Sequence, residues 1–324
     1  MKKLKIILIS AVCVLCALGL SCLTIFGSIF TNNGGYTSCL SVNEETNMLS
    51  TNNNSVKILQ LTDTQLHSCF DSASALNCVK KTVAKTNPDL IVLTGDNISD
   101  PCTKKSFNRL VNFLDAFGLP WAVVMGNHDY GVFHFTTEYM NQAYLNSKHC
   151  IYKQGPISNS LGNYYYTINF NGNNSFSLIF MDSQQLGFTQ EHVTWYEQTI
   201  NTITQDNGLT LPSFAFFHIP TTETVTACQQ YQQGLIEGSG TLREHVCPQE
   251  TNSNFFEKVV ELNSTKALFY GHDHVNDLIL NYQGIKLVYG IKTGKTSYFN
   301  PKIQGGNLIT INADQTFDIT RIYV

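Results

Sequence analysis

No basic patch marks this sequence. Lysine and arginine number 20 against 24 aspartate and glutamate, a net charge of −4, so the chain has no bulk attraction for nucleic acid. Charge of either sign is scarce at 14%, while apolar residues reach 43%, which excludes global disorder and suits a chain that buries a large core. Beyond residue 30 there is no Cys-x-x-Cys pair, which argues against a thiolate zinc site. No internal repeat is present, which excludes a repeat array.

Acidic residues are also missing from the N-terminus: none precedes Glu44. Lys2, Lys3 and Lys5 stand before an apolar stretch over 6–30, the pattern of a secretory signal. The stretch is long enough to span a bilayer, so residues 1–30 read as either a signal peptide or a signal anchor. As an anchor, its positive flank would stay cytoplasmic and leave the remainder lumenal or extracellular. Residues 31–55, rich in Asn, Ser, Thr and Gly, read as a poorly ordered polar linker, and 56–324 as one large domain.

Entry to the secretory pathway permits disulfides. The cysteines beyond the apolar stretch are Cys39, Cys69, Cys78, Cys102, Cys150, Cys228 and Cys247, an odd set in which one is free or pairs between chains. The best single pair is Cys228 with Cys247, which would staple a polar insertion. Asn53, Asn173 and Asn263 open glycosylation triplets that fit such a compartment; Asn97 opens another but sits inside a polar cluster, and is expected to stay unmodified.

From residue 56 the chain alternates short apolar runs with amphipathic segments. Runs at 56–61, 90–93 and 121–125 read as buried strands, and 72–86 and 103–117 as helices between them. That rhythm means a parallel sheet with crossover helices. A helix over 136–145 follows, then a hairpin of 164–170 and 176–181 around Asn171-Gly172, then a helix over 189–203. Next come a strand at 213–217, a polar insertion over 221–252, a helix over 255–262, a strand at 267–270 and terminal short strands.

A polar cluster follows each buried run: Asp63-Thr64-Gln65, Gly95-Asp96-Asn97, Gly126-Asn127-His128-Asp129, His218-Ile219-Pro220 and Gly271-His272-Asp273-His274. Any one acid or amide alone suits a turn or helix cap. Side chains at the carboxyl ends of parallel strands converge on one crevice, however, and imidazole with carboxylate is a ligand set for divalent cations. The absence of thiolates and the mix of oxygen and nitrogen donors favour Zn, Mn or Fe over Ca. His134, His149, His192 and His245 match no motif and read as surface or loop histidines. Glu223, Arg243 and Glu244 read as solvated charges of the insertion, with substrate contact the alternative.

The order and spelling of these clusters, with Val275-Asn276-Asp277 and Tyr289-Gly290-Ile291-Lys292-Thr293-Gly294 downstream, resemble the calcineurin-like metallophosphoesterase superfamily, in a secreted, purple-acid-phosphatase-like branch. The resemblance implies an α/β fold of two packed mixed β-sheets flanked by helices. It also implies two divalent or trivalent metal ions bridged by Asp96. Asp63 and His274, with Gln65 as a doubtful extra ligand, would complete one site; Asn127, His218 and His272 would complete the other. The implied activity is hydrolysis of phosphate monoesters by a two-metal-activated water, on a phosphorylated small molecule or phosphoprotein. His128 would be the catalytic non-ligand histidine, with Asp129 or Asp100 to orient it. A phosphodiesterase acting on cyclic nucleotides or phospholipid head groups, or a non-catalytic binding protein, are the alternatives. Two departures stand out. The family's Asp-x-His reads Asp63-Thr64-Gln65, with His67 the next imidazole along. Ser99 occupies the place of the tyrosine that colours purple enzymes, so no purple centre is expected.

Overall fold

The computed structural model describes residues 35–67, 69–251 and 253–324. The apolar stretch 1–30, with its expected role as signal or anchor, lies outside the described residues; among those described, no helix is long and apolar enough to cross a membrane.

The chain enters through β1 (Ser41–Asn43) and β2 (Met48–Thr51). These strands correct the expectation of a disordered linker over 31–55. β2 lies parallel to a later strand, Met48 opposite Thr167, and Leu49 is fully buried there. The Asp89 carboxylate also ties this segment down, accepting from the backbone N–H of Cys39 at 3.1 Å and of Lys57 at 2.8 Å. Polar composition concealed two buried apolar positions, Leu40 and Leu49, and a set of strand-edge hydrogen bonds.

The parallel repeat then forms as its periodicity predicts: β3 (Ser55–Leu61), α1 (Cys69–Thr86), β4 (Leu90–Thr94), α2 (Lys104–Asp115) and β5 (Trp121–Val124). Thr103 caps α2 by accepting from Ser106 N, and Phe107, Leu110, Val111 and Leu114 of that helix are buried. A 3-10 turn (Asn127–Tyr130) and α3 (Thr137–Leu145) lead to the hairpin of β6 (Tyr164–Phe170) and β7 (Asn173–Phe180). Its two-residue turn, Asn171 and Gly172, has positive φ at both positions (53° and 90°), as tight hairpins of this twist require.

The rest comprises α4 (Gln190–Asn207), β8 (Ser213–Phe216), α5 (Glu223–Gln232), β9 (Gly238–Ser239), α6 (Phe255–Leu262), β10 (Thr265–Tyr270), β11 (Ile279–Tyr282), β12 (Ile285–Tyr289), β13 (Gly305–Asn312) and β14 (Phe317–Tyr323). The insertion over 221–252 is thus partly helical.

The strands form two mixed sheets. One has five strands in the order β14-β13-β3-β4-β5, the other nine in the order β1-β2-β6-β7-β8-β10-β12-β11-β9. Aromatic rings form a ladder across the larger sheet: Tyr164 on Phe180 at 4.6 Å, Phe180 on Phe216 at 5.4 Å and Phe216 on Phe269 at 4.9 Å, each pair stacked. These rings share a core with Ile58, Val92 and Val123 of the smaller sheet. A second core, containing Ile179, Ala215, Leu268, Tyr196 and Phe255, covers the other face of the larger sheet with α4 and α6. Packed this way, the parallel strands β3, β4, β5, β8 and β10 all deliver their carboxyl ends to one region.

Candidate metal centre

Leaving those strands, the backbone turns sharply. Asp63, Gln65, Asp96 and His272 all sit at positive φ (53°, 41°, 49° and 76°). Non-glycine residues rarely occupy this region, and four at one place mark a backbone held by its surroundings. The loops also pack closely. A Cβ on Gly126 would lie 2.3 Å from Asp96 Oδ1, and one on Gly271 would lie 2.0 Å from Thr62 Oγ1. Only glycine fits at either position.

Two clusters of ligand-type side chains result, Asp96 with His218 and His272, and Asp63 with Asp96 and His274, their ligand atoms within 4.8 Å of one another in each. Asp96 belongs to both. His218 Nδ1 lies 2.8 Å from the Thr94 carbonyl and His274 Nδ1 lies 3.0 Å from the Tyr298 carbonyl. A carbonyl only accepts, so each Nδ1 carries a proton and each Nε2 is the ring nitrogen open to a further proton or a metal ion. Those Nε2 atoms face carboxylate oxygens: His218 Nε2 is 3.3 Å from Asp96 Oδ1, and His274 Nε2 is 3.3 Å from Asp63 Oδ1. An imidazole nitrogen against a carboxylate oxygen calls for a cation between them, a proton or a metal ion.

The electrostatics agree. Burial alone would raise Asp63, but the bond to His274 and the charges of His218, His274 and Lys292 hold it well below the usual carboxylate range. Burial opposes charge on His218, yet Asp96 and Asp63 push it up to about 10, while burial and His218 push His272 down to about 4. The two carboxylates therefore favour positive charge at this place, on His218 or on a metal ion. Asn127 supplies a further fit: its Oδ1 is buried with no hydrogen-bond partner among the described residues, a free carbonyl oxygen of the kind a metal takes.

Five of the expected ligands, Asp63, Asp96, His218, His272 and His274, thus fall in the two clusters, and Gln65 has its amide engaged elsewhere. Its Oε1 accepts from Lys292 Nζ at 2.6 Å, which turns its amide nitrogen toward Asp96 Oδ2 at 3.3 Å. His67 belongs to neither cluster among the described residues. His128 lies beside the centre: its backbone N–H donates to Asp96 Oδ1 at 2.9 Å, and its half-exposed ring places Nε2 4.0 Å from Asp96 Oδ2. Neither expected carboxylate orients that ring. Asp129 instead accepts backbone N–H groups of Gly126 at 2.8 Å and Ile98 at 3.0 Å together with Asn97 Nδ2 at 3.0 Å, pinning two ligand loops together. Asp100 accepts from Phe133 N at 3.1 Å.

The insertion is not a set of solvated charges. Glu244 accepts from Val275 N at 2.9 Å, Arg243 Nη1 pairs with Asp277 at 2.8 Å and its backbone N–H donates to Asn276 Oδ1 at 2.8 Å. These contacts brace the His272–His274 loop from outside. Asp273, between the two histidines, points away from the centre and accepts from Tyr289 OH at 2.5 Å. Glu223 accepts from Thr222 Oγ1 at 3.0 Å near the start of α5.

Three further expectations change. Cys228 and Cys247 are both free thiols, Cys228 buried on the inner side of α5 and Cys247 exposed, so the expected staple is not formed. His192 is buried in α4 rather than at the surface, whereas His134 and His245 are exposed. Asn97 is buried with its amide on Asp129, while Asn53, Asn173 and Asn263 are exposed.

Residues 56–276 match the family described as calcineurin-like phosphoesterase. The chain belongs to that family. Among curated relatives it is similar to the probable inactive purple acid phosphatases 14 and 29 of Arabidopsis thaliana. The first is 27% identical over 71% of this chain and 65% of the relative. The second is 26% identical over 68% of this chain and 63% of the relative. The alignments therefore span a little under two thirds of those proteins. Among solved structures the fold resembles a dimetal phosphatase from Danio rerio, with a TM-score of 0.52 and 11% identity over 83% of this chain and 99% of the other. This calcineurin-like phosphoesterase chain lacks a histidine in its first motif, and the residue that spacing alone did not single out is Lys292. The signal for it was a lone lysine three residues past β12, a strand parallel to β10.

Proposed function

We propose that the chain hydrolyses phosphate esters, monoesters foremost, using two metal ions shared across Asp96. The observation that carries this reading is the pair of His–carboxylate clusters with ring nitrogens and carboxylates turned on common points. Asp63, Asp96 and His274 would hold one ion, and Asp96, Asn127, His218 and His272 the other, with Zn, Mn or Fe suited to these donors. When bound, such ions supply an acidified water and countercharge for the phosphoryl oxygens. The chain's own contribution is positional. Asp96 fixes the spacing of the two sites. The His128 ring, half-exposed at the edge of the centre, delivers a proton from Nε2 to the leaving-group oxygen.

A non-catalytic binding role is the second reading, supported by the loss of a histidine at Gln65 and by the names of the Arabidopsis relatives. Diester cleavage is the third; a probable cyclic nucleotide phosphodiesterase of Moraxella catarrhalis is 37% identical, over 24% of this chain. One assay separates them: purified protein loaded with Zn, Mn or Fe, given a monoester and a diester of the same chromophore. Faster monoester release supports the proposal, faster diester release the third reading. No release from either substrate by protein shown to hold metal would leave the binding role.

We also propose a lumenal or extracellular place for the domain, supported by the apolar stretch 1–30 and three exposed glycosylation triplets. Endoglycosidase treatment of protein made in a secretory host should lower its apparent mass, and an unchanged mass would count against that placement.

A further inference from the structure

We propose that Lys292, acting through Gln65, is a positioning residue that keeps the Asp63–Asp96–His274 metal site weaker than the Asp96–Asn127–His218–His272 site. This deepens the two-metal reading above and rests on it.

Every polar group of Gln65 is already used within the protein. Its backbone N–H donates to the Asp96 carbonyl at 2.9 Å, and its own carbonyl accepts from Thr296 Oγ1 at 2.5 Å. Its Oε1 accepts from Lys292 Nζ at 2.6 Å and its Nε2 faces Asp96 Oδ2 at 3.3 Å. The orientation of this amide is fixed by chemistry, since an ammonium only donates and a carboxylate only accepts. Where the family's histidine would bring a lone pair, this chain brings two N–H bonds. One of them engages the carboxylate of Asp96, the residue common to both clusters.

Lys292 is held as firmly. It is buried, and its Nζ also donates to the Asp63 carbonyl at 3.2 Å. The segment that carries it runs beside the end of β3: Thr62 and Lys292 form a parallel bridge, and Thr293 N donates to the Thr62 carbonyl at 2.9 Å. Gly294 allows this approach, because a Cβ there would lie 2.3 Å from the Thr64 carbonyl. A fixed ammonium therefore stands directly against the backbone of Asp63, a ligand of the one site. It repels a second cation there and withholds the one oxygen Gln65 has to offer.

The test is a titration of metal-free, full-length protein with Mn2+ and separately with Zn2+, reading two dissociation constants by calorimetry and bound metal by elemental analysis. Wild type should show two affinities separated by at least about tenfold, the range over which outer partners tune metal sites. Lys292→Met frees the Gln65 oxygen and removes the charge, so the gap should narrow. Lys292→Met combined with Gln65→His should narrow it further, whereas Lys292→Arg should keep it. Should the methionine variants fail to fold, Gln65→Glu keeps a partner for Lys292 and places a carboxylate oxygen toward the weak site, which should then tighten. Two equal affinities in wild type would overturn the inference while leaving the two-metal reading intact. No bound metal in wild type would remove that reading itself. A gap that survives both Lys292→Met and Gln65→Glu would also overturn the role of this pair.

Discussion

The backbone N–H of His128 donates to Oδ1 of Asp96 at 2.9 Å, so the carboxylate common to both clusters and the histidine beside them are positioned by one contact. The contact uses the main chain of His128 and leaves its ring at the solvent edge. The two residues can therefore be separated by mutation.

Removing the Asp96 carboxylate should empty both sites, because both clusters include it. Asp96→Ala is expected to retain neither ion in elemental analysis and to show no hydrolysis. An active Asp96→Ala protein with two bound ions would end the bridging assignment.

His128→Ala should keep both ions, since the substitution preserves the N–H that Asp96 accepts. Turnover should fall by about 10²–10⁴-fold, the usual worth of a positioned general acid, and most for esters with poor leaving groups. Parallel loss of metal and activity would make His128 a ligand instead.

His192 carries a prediction about pH. Thr189 N donates to its Nδ1 at 3.2 Å, while its Nε2 lies 3.0 Å from Ser160 Oγ, whose own proton goes to Asp182 at 2.9 Å. The ring is neutral, and burial pushes its pKa down to about 4. Between about pH 6.5 and 4 the unfolded chain binds the extra proton and the folded one does not, so stability falls as pH falls through this window. Across the whole window the loss is about 3 kcal/mol, because each pH unit that separates the two pKa values contributes about 1.4 kcal/mol. Denaturant melts of wild type and His192→Gln at pH 7 and pH 4.5 should show a flatter pH dependence in the variant. Equal slopes would show that His192 titrates normally.

Cys247 is exposed and Cys228 is buried, both as free thiols. Alkylation of native protein without reductant should label Cys247 and spare Cys228 until denaturant is added. Linked peptides carrying both residues would restore the disulfide and contradict the structure.

Much of the fold was legible because buried parallel strands leave a strong mark. The runs ending at Leu61, Leu93, Met125 and Phe217 are almost wholly apolar, and an acid, amide or histidine follows each within three residues. Sheet geometry requires those ends to meet, which is why Asp63, Asp96, His218, His272 and His274, far apart in sequence, fall into two clusters. The hairpin over 41–51 was not legible, since its polar strands lie at a sheet edge and hold by backbone hydrogen bonds that any sequence makes. The bracing role of Glu244 was hidden for a related reason: its partner is a backbone N–H, which has no spelling in the sequence.

The sequence by itself determined the candidates for the centre: Asp63, Asp96, Asn127, His128, His218, His272 and His274, each at the end of a strand or in the loop beyond it. Burial of the strands forces that periodic pattern and makes it readable. Only the tertiary structure decided what each polar atom faces. Lys292 meets Gln65 across 227 positions because two loops from different sheets are pressed together at Gly294. The direction of an amide depends on which neighbour donates and which accepts, and that is a property of packing rather than of composition.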